Sequence, residues 1–124
     1  MARVLVVDDN AHIRTMFRAC LEGAGYDVEE APDGVVALER YRAQPADLVM
    51  TDIAMPNKDG IETIMDLWRE FPEVKIIAVS GSPRASDPKT HLEFAAIFGA
   101  LRTFSKPVDL DELLDAVHEL IGPA

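Results

Sequence analysis

Apolar positions along the chain change period repeatedly, and each change marks a new element. Arg3 to Val7 (RVLVV) is a short β-branched run without helical gaps, which predicts a buried strand. From Ala11 to Ala24 the apolar residues Ile13, Phe17, Cys20, Leu21 and Ala24 recur on one helical face, and Gly25 ends the helix. Asp27 to Ala31 reads as a short second strand. Asp33 can cap a helix carrying Val35, Leu38 and Tyr41, which stops before Pro45. Asp47 to Thr51 (DLVMT) predicts a third, buried strand. After the turn from Met55 to Gly60, Asp59 can cap a helix with Ile61, Ile64, Met65 and Trp68 on one face. Val74 to Val79 (VKIIAV) predicts a fourth strand. Ser86-Asp87-Pro88 reads as a cap and first-turn proline, opening a helix that closes at Gly99. Ala100 to Phe104 predicts a fifth strand, and Leu110, Leu113, Leu114, Val117, Leu120 and Ile121 define a last helix opened by Asp109.

The pattern is a strand followed by a helix, five times over. Apolar strands separated by helices of this length pair in parallel, with helices on both faces. The expected fold is α/β: a doubly wound five-stranded parallel sheet, order 2-1-3-4-5, with five helices. Folds of this class place their sites at the carboxyl ends of the strands, beside the switch in strand order.

Composition narrows the class. The 124 residues fit one domain, 1–124, with no length left for a second. A chain that is 48% apolar and 27% charged can build an ordinary soluble core. No apolar run approaches the roughly 20 residues of a membrane span, and the start lacks a signal peptide's apolar core, so a cytoplasmic protein is expected. A formal net charge of −10 repels nucleic acid and anionic membrane, which argues against either as a partner. Cys20 is the only cysteine, which excludes an internal disulfide; on the apolar face of its helix it reads as a small buried hydrophobe. His12, His91 and His118 have no paired metal ligands and read as surface or structural residues.

The predicted strand ends hold Asp8-Asp9, Asp52, Ser80 and Lys106. In the expected order these ends are neighbours, so the side chains converge. Carboxylates about 4 Å apart repel by roughly 4 kcal/mol per pair at an effective dielectric of 20. Hard oxygen ligands gathered this way point to a divalent cation, and a shallow site with few ligands suits Mg²⁺. Lys106 adds a compact cation and Ser80 a hydroxyl donor.

The segments Val4–Asp9 (VLVVDD), Asp47–Gly60 (DLVMTDIAMPNKDG), Val79–Gly81 (VSG) and Phe104–Pro107 (FSKP) resemble bacterial response regulator receiver domains over essentially the whole chain. The resemblance implies a CheY-like, flavodoxin-like fold and a role in two-component, phosphorelay signal transduction. By it, Asp52 accepts a phosphoryl group from a sensor histidine kinase or a histidine phosphotransfer protein. Asp9, Asp52 and the backbone carbonyl of Ala54 would hold Mg²⁺, with Asp8 acting through water. Lys106 and Ser80 would contact phosphoryl oxygens, and the Lys106–Pro107 bond would be cis. The domain would remove its own mark with water and would otherwise not act as an enzyme. As the chain ends just after the last helix, no output domain is expected. Signalling would then pass through protein contacts on the face of the fourth helix, fifth strand and fifth helix, as a monomer or a phosphorylation-dependent dimer.

Three features depart from the family pattern. The family's usual aromatic, three positions before the lysine, is Thr103 here, and strand alternation sends Phe104 to the opposite face and into the core. Gly81 to Asp87 (GSPRASD) is longer and more polar than usual, and the helix after it is apolar on more than one side (Leu92, Phe94, Ile97, Phe98), as a docking surface would be. Ala54 and Ser82 are small and would shield a phosphoryl group weakly, giving it a lifetime of minutes. A small-substrate phosphatase with an Asp52 nucleophile would want an acid/base aspartate where Ala54 stands. A receiver working without phosphorylation would not need Asp8, Asp9, Asp52, Ser80 and Lys106 together.

Overall fold

The structure, a computed structural model, describes residues 2–53, 60–80 and 99–124. In chain order these form β1 (Arg3–Val7), α1 (Ala11–Gly23), β2 (Asp27–Ala31), α2 (Gly34–Ala43), β3 (Leu48–Asp52), α3 (Gly60–Glu70), β4 (Ile76–Ser80), β5 (Arg102–Ser105) and α4 (Leu110–Ile121). The five strands make one parallel sheet in the order β2-β1-β3-β4-β5, as the alternating pattern predicts. Four helices are formed by the described residues. The helix expected between Ser86 and Gly99, the Asp59 cap and the 81–87 segment fall outside them.

Alternation within the strands divides the core into two clusters. Leu5, Val7, Val49, Ile76 and Ala78 face Leu38, Tyr41, Ile64 and Leu67 of α2 and α3. Val4, Val6, Leu48, Met50, Ile77 and Val79 face Phe17, Leu21, Leu113 and Val117 of α1 and α4. The central strands are therefore buried on both faces, and each large aliphatic side chain so enclosed contributes about 1.5–3 kcal/mol.

Side-chain oxygens hold the helix starts. Asn10 accepts the amides of His12 and Ile13, Asp33 that of Val36, and Asp109 those of Asp111 and Glu112. Gly25, at φ +96°, turns the chain out of α1 in a conformation that favours glycine.

Several expectations need adjusting. α3 is rotated by about one residue from the predicted face, whereas α2 buries Leu38 and Tyr41 as expected and departs only at Val35. Gly34, Ala37, Leu38 and Tyr41 are buried while Val35 is exposed, and Gly60, Thr63, Ile64 and Leu67 are buried while Trp68 is exposed. In α3 apolar residues stand at both candidate sets of positions, so periodicity alone selects neither. The close seat of Gly60 selects one: a Cβ there would lie 2.2 Å from the Asp52 carbonyl oxygen and 2.5 Å from Ile53 Cα. Strands β3 and β4 run one residue past their apolar runs, to Asp52 and Ser80, because the ladder continues under the polar residues. Cys20 is half-buried rather than buried. Phe104 packs against the α1–α4 cluster only partly, while Thr103 is exposed, so the two do lie on opposite faces of an edge strand.

Candidate functional site

Register sets the site. Val7 of β1 is level with Thr51 of β3, Asp52 is level with Val79, and Ser80 is level with Ser105 of β5. The residues one step further, Asp8, Asp52, Ser80 and Lys106, thus meet at the carboxyl edge of β1, β3, β4 and β5. Backbone bonds lock the edge: Ile53 donates to the Val79 carbonyl at 3.0 Å and Lys106 to the Ser80 carbonyl at 2.8 Å. The Lys106–Pro107 peptide is cis.

Asp8 and Asp52 are 2% and 7% exposed, far more enclosed than carboxylates usually are. Lys106 answers both. Its Nζ lies 3.0 Å from Asp8 Oδ2 and 3.4 Å from Asp52 Oδ2. The other oxygens take backbone donors: Asn10 N–H bonds Asp8 Oδ1 and Ile53 N–H bonds Asp52 Oδ1, each at 2.9 Å. Asp9, exposed, completes the acidic group. Asp8, Asp9 and Asp52 each offer an oxygen within 4.8 Å of the others'.

The electrostatics are unbalanced. Burial, then the Asp8 carboxylate, push Asp52 from 3.8 up to about 6, against the pull of Lys106 and the Ile53 amide. Burial favours neutral Lys106, but Asp52 and Asp8 together more than offset it and raise the ammonium's pKa. Among the described residues, one ammonium is set against three carboxylates. The donor set, all hard oxygens and short of positive charge, fits a divalent cation such as Mg²⁺. Ser80 Oγ is fully buried and has no hydrogen-bond partner among the described residues. Leaving such a hydroxyl unsatisfied costs roughly 1–3 kcal/mol.

The structure therefore brings together Asp8, Asp9, Asp52, Ser80 and Lys106; Ala54 lies outside the described residues. Three contributors escaped the sequence reading. Thr51 donates its hydroxyl to the Asp52 carbonyl at 2.9 Å, Arg14 bonds the Asp8 carbonyl at 2.7 Å, and Gly60 lets α3 start against Asp52. Only Gly60 left a signal, as the glycine closing the 47–60 segment. An apolar cleft of about 400 Å³ beside the site is lined by Ile13, Met16, Phe17, Lys106, Pro107 and Val108. A larger one, about 630 Å³, lies at the opposite edge of the sheet and includes no site residue. No helix of the described residues is long and apolar enough to cross a membrane.

Comparison with known proteins agrees with this geometry. The response regulator receiver domain model matches residues 4–118. The chemotaxis protein CheY of Thermotoga maritima is 42% identical over 119 residues, covering 95% of this chain and 96% of that protein. The CAI-1 autoinducer sensor kinase/phosphatase CqsS of Vibrio cholerae is 40% identical over 115 residues, 93% of this chain but only 17% of the kinase. Among solved structures, a CheY-like receiver domain protein from Methanospirillum hungatei superposes with a TM-score of 0.87 at 30% identity, covering 96% of this chain and 92% of that one. A buried aspartate at the end of β3, faced by a lysine and two further acids just past the neighbouring strands, and a family match over nearly the whole length lead to one conclusion: the chain belongs to the response regulator receiver domains, the phosphoacceptor modules of two-component signalling.

Proposed function

We propose that Asp52 is the phosphoacceptor, loaded from a phosphohistidine of a sensor histidine kinase or a histidine phosphotransfer protein. An Asp52 carboxylate oxygen bonds phosphorus as the phosphorus–nitrogen bond breaks and its electron pair returns to the donor imidazole. The product is a mixed anhydride, aspartyl phosphate. The observation that carries this reading is the Lys106 ammonium held between Asp8 and Asp52 at the mouth of a buried acidic cluster.

Asp9, Asp52 and the Ala54 backbone carbonyl would hold Mg²⁺, with Asp8 contributing through water. When bound, the ion supplies the positive charge that phosphoryl transfer needs at the equatorial oxygens. Lys106 exchanges part of its contact with Asp52 for a phosphoryl oxygen, keeping Asp8 as its second anchor. Ser80, unpartnered among the described residues, donates to another phosphoryl oxygen. Its displacement can carry the residues that follow it, and partners then read the change through the face that includes β5 and α4. The cleft beside Lys106 offers apolar surface to the phosphoryl donor. Water attacking phosphorus later breaks the bond to Asp52 and restores the carboxylate. With the small residues Ala54 and Ser82 two positions beyond Asp52 and Ser80 in the sequence, the anhydride persists for minutes. The protein works as a cytoplasmic switch unit over residues 1–124, a monomer or a phosphorylation-dependent dimer.

Incubation with Mg²⁺ and acetyl phosphate, followed by mass spectrometry, tests the assignment. One hydroxylamine-labile phosphoryl adduct is expected on the wild type and none on Asp52→Asn. An adduct that persists in the variant would remove Asp52 from this role.

A further inference from the structure

We infer that Arg14 is a positioning residue for the cation-binding turn, acting through the peptide that joins Asp8 to Asp9. The inference rests on the reading of Asp9 as a cation ligand. β1 ends at Val7, the last residue in register with β2. The Asp8 amide still reaches the Ala31 carbonyl at 3.2 Å, but the Asp8 carbonyl lies past the sheet and needs another donor. Arg14, one turn into α1, supplies it through Nη1 at 2.7 Å.

The guanidinium is itself fixed. Arg14 Nε bonds Glu30 Oε1 at 3.1 Å, and the other Glu30 oxygen accepts Arg18 Nη1 at 2.7 Å. The Arg14 side chain is 18% exposed, so this clamp is largely withdrawn from water. Two donors on one rigid plane thus tie the Asp8 carbonyl to β2, a geometry that lysine cannot reproduce.

The consequence falls on Asp9. A peptide is planar, so fixing the Asp8 carbonyl also fixes the Asp9 nitrogen and the direction of its Cα. Asp9 is exposed. Its approach to within 4.8 Å of Asp8 and Asp52 therefore depends on the path of the backbone. Asp8 is held at Oδ1, Oδ2 and N–H, and Asn10 is held by its cap, so among the described residues the Arg14 bond is the one that acts on the Asp8–Asp9 peptide itself.

Electrostatics and positioning predict opposite signs. Removing a positive charge beside a cation site tightens the cation; releasing the turn weakens it. Mg²⁺ affinity, read from the Mg²⁺-dependent rise in melting temperature without any phosphodonor, decides between them. Arg14→Gln should bind Mg²⁺ about tenfold more weakly, in the range seen when the partners of metal ligands are removed. Arg14→Lys should recover only part of that loss. Arg18→Gln removes the same charge from the same Glu30 without touching Asp8, and should leave Mg²⁺ affinity within about twofold of wild type. With acetyl phosphate, Arg14→Gln should need more Mg²⁺ for half-maximal labelling yet approach the wild-type rate at saturation. Wild-type or tighter Mg²⁺ binding by Arg14→Gln, or equal weakening in Arg18→Gln, overturns the inference and leaves the Asp52 assignment standing. If the wild type itself shows no Mg²⁺-dependent shift, the cation reading falls and the inference with it, whereas a label on Asp52 would still stand.

Discussion

At Asp52 the fold holds a carboxylate whose burial and acidic neighbour raise its pKa from 3.8 to about 6. The folded protein therefore binds this proton more tightly than the unfolded chain does. Stability falls as pH rises between these two values, and above about 6 the penalty is fully present. In metal-free buffer, Asp52→Asn should accordingly be more stable than wild type at neutral pH by about 1–3 kcal/mol. Urea unfolding should show that advantage shrinking to nothing below about pH 4. An advantage that persists in acid would locate the strain elsewhere. The sequence made the participants legible, because Asp8, Asp9, Asp52, Ser80 and Lys106 all stand at predicted strand ends. It did not disclose Arg14 or Thr51, whose contacts are with backbone carbonyls and leave no pattern of residue types.

The elements were read more securely in kind than in orientation. All five strands were found, and β2 was placed from Asp27 to Ala31. In α2 Leu38 and Tyr41 were read correctly and only Val35 was not, whereas the face of α3 was misjudged because Trp68 is as apolar as the residues that are actually buried. What decides the rotation is steric. A glycine at the first position of α3 lets the helix sit against the end of β3, and no hydrophobicity scale rewards a missing side chain. Gly60→Ala tests this directly. Its Cβ would meet the Asp52 carbonyl oxygen at 2.2 Å, so backbone must move. The variant should lose about 3 kcal/mol or more of stability, at or beyond the upper end for overpacking, and its acetyl phosphate labelling should slow because Asp52 shifts with the strand. Cleavage of the Asp109 cap interaction by Asp109→Ala offers the contrast. It should cost about 1 kcal/mol while leaving labelling intact, since that cap serves only α4.

For the whole molecule, the excess of acid matters more than any ion pair. Arg14, Arg18 and Glu30 form a joined network across α1 and β2, and the Arg18 pair lowers the Glu30 pKa. The exposed pairs, such as Arg42 with Glu70 and Arg102 with Glu119, contribute little individually, whereas a net charge of −10 repels itself throughout. Raising sodium chloride from about 20 mM to about 500 mM shortens the screening length from roughly 20 Å to roughly 4 Å. The melting temperature in EDTA should therefore rise with salt; a fall would mean that the ion-pair network outweighs the global repulsion.

Trp68 is the chain's only tryptophan, and α3 turns it outward, 55% exposed. A side chain at Gly99 would come within 3.4 Å of its indole, so the ring lies close to the backbone that leads into β5. The molecule thereby carries an optical gauge on the strand that delivers Lys106. Its emission maximum and its quenching by iodide record whether that backbone stays against α3, with no dye attached and no residue of the acidic site altered.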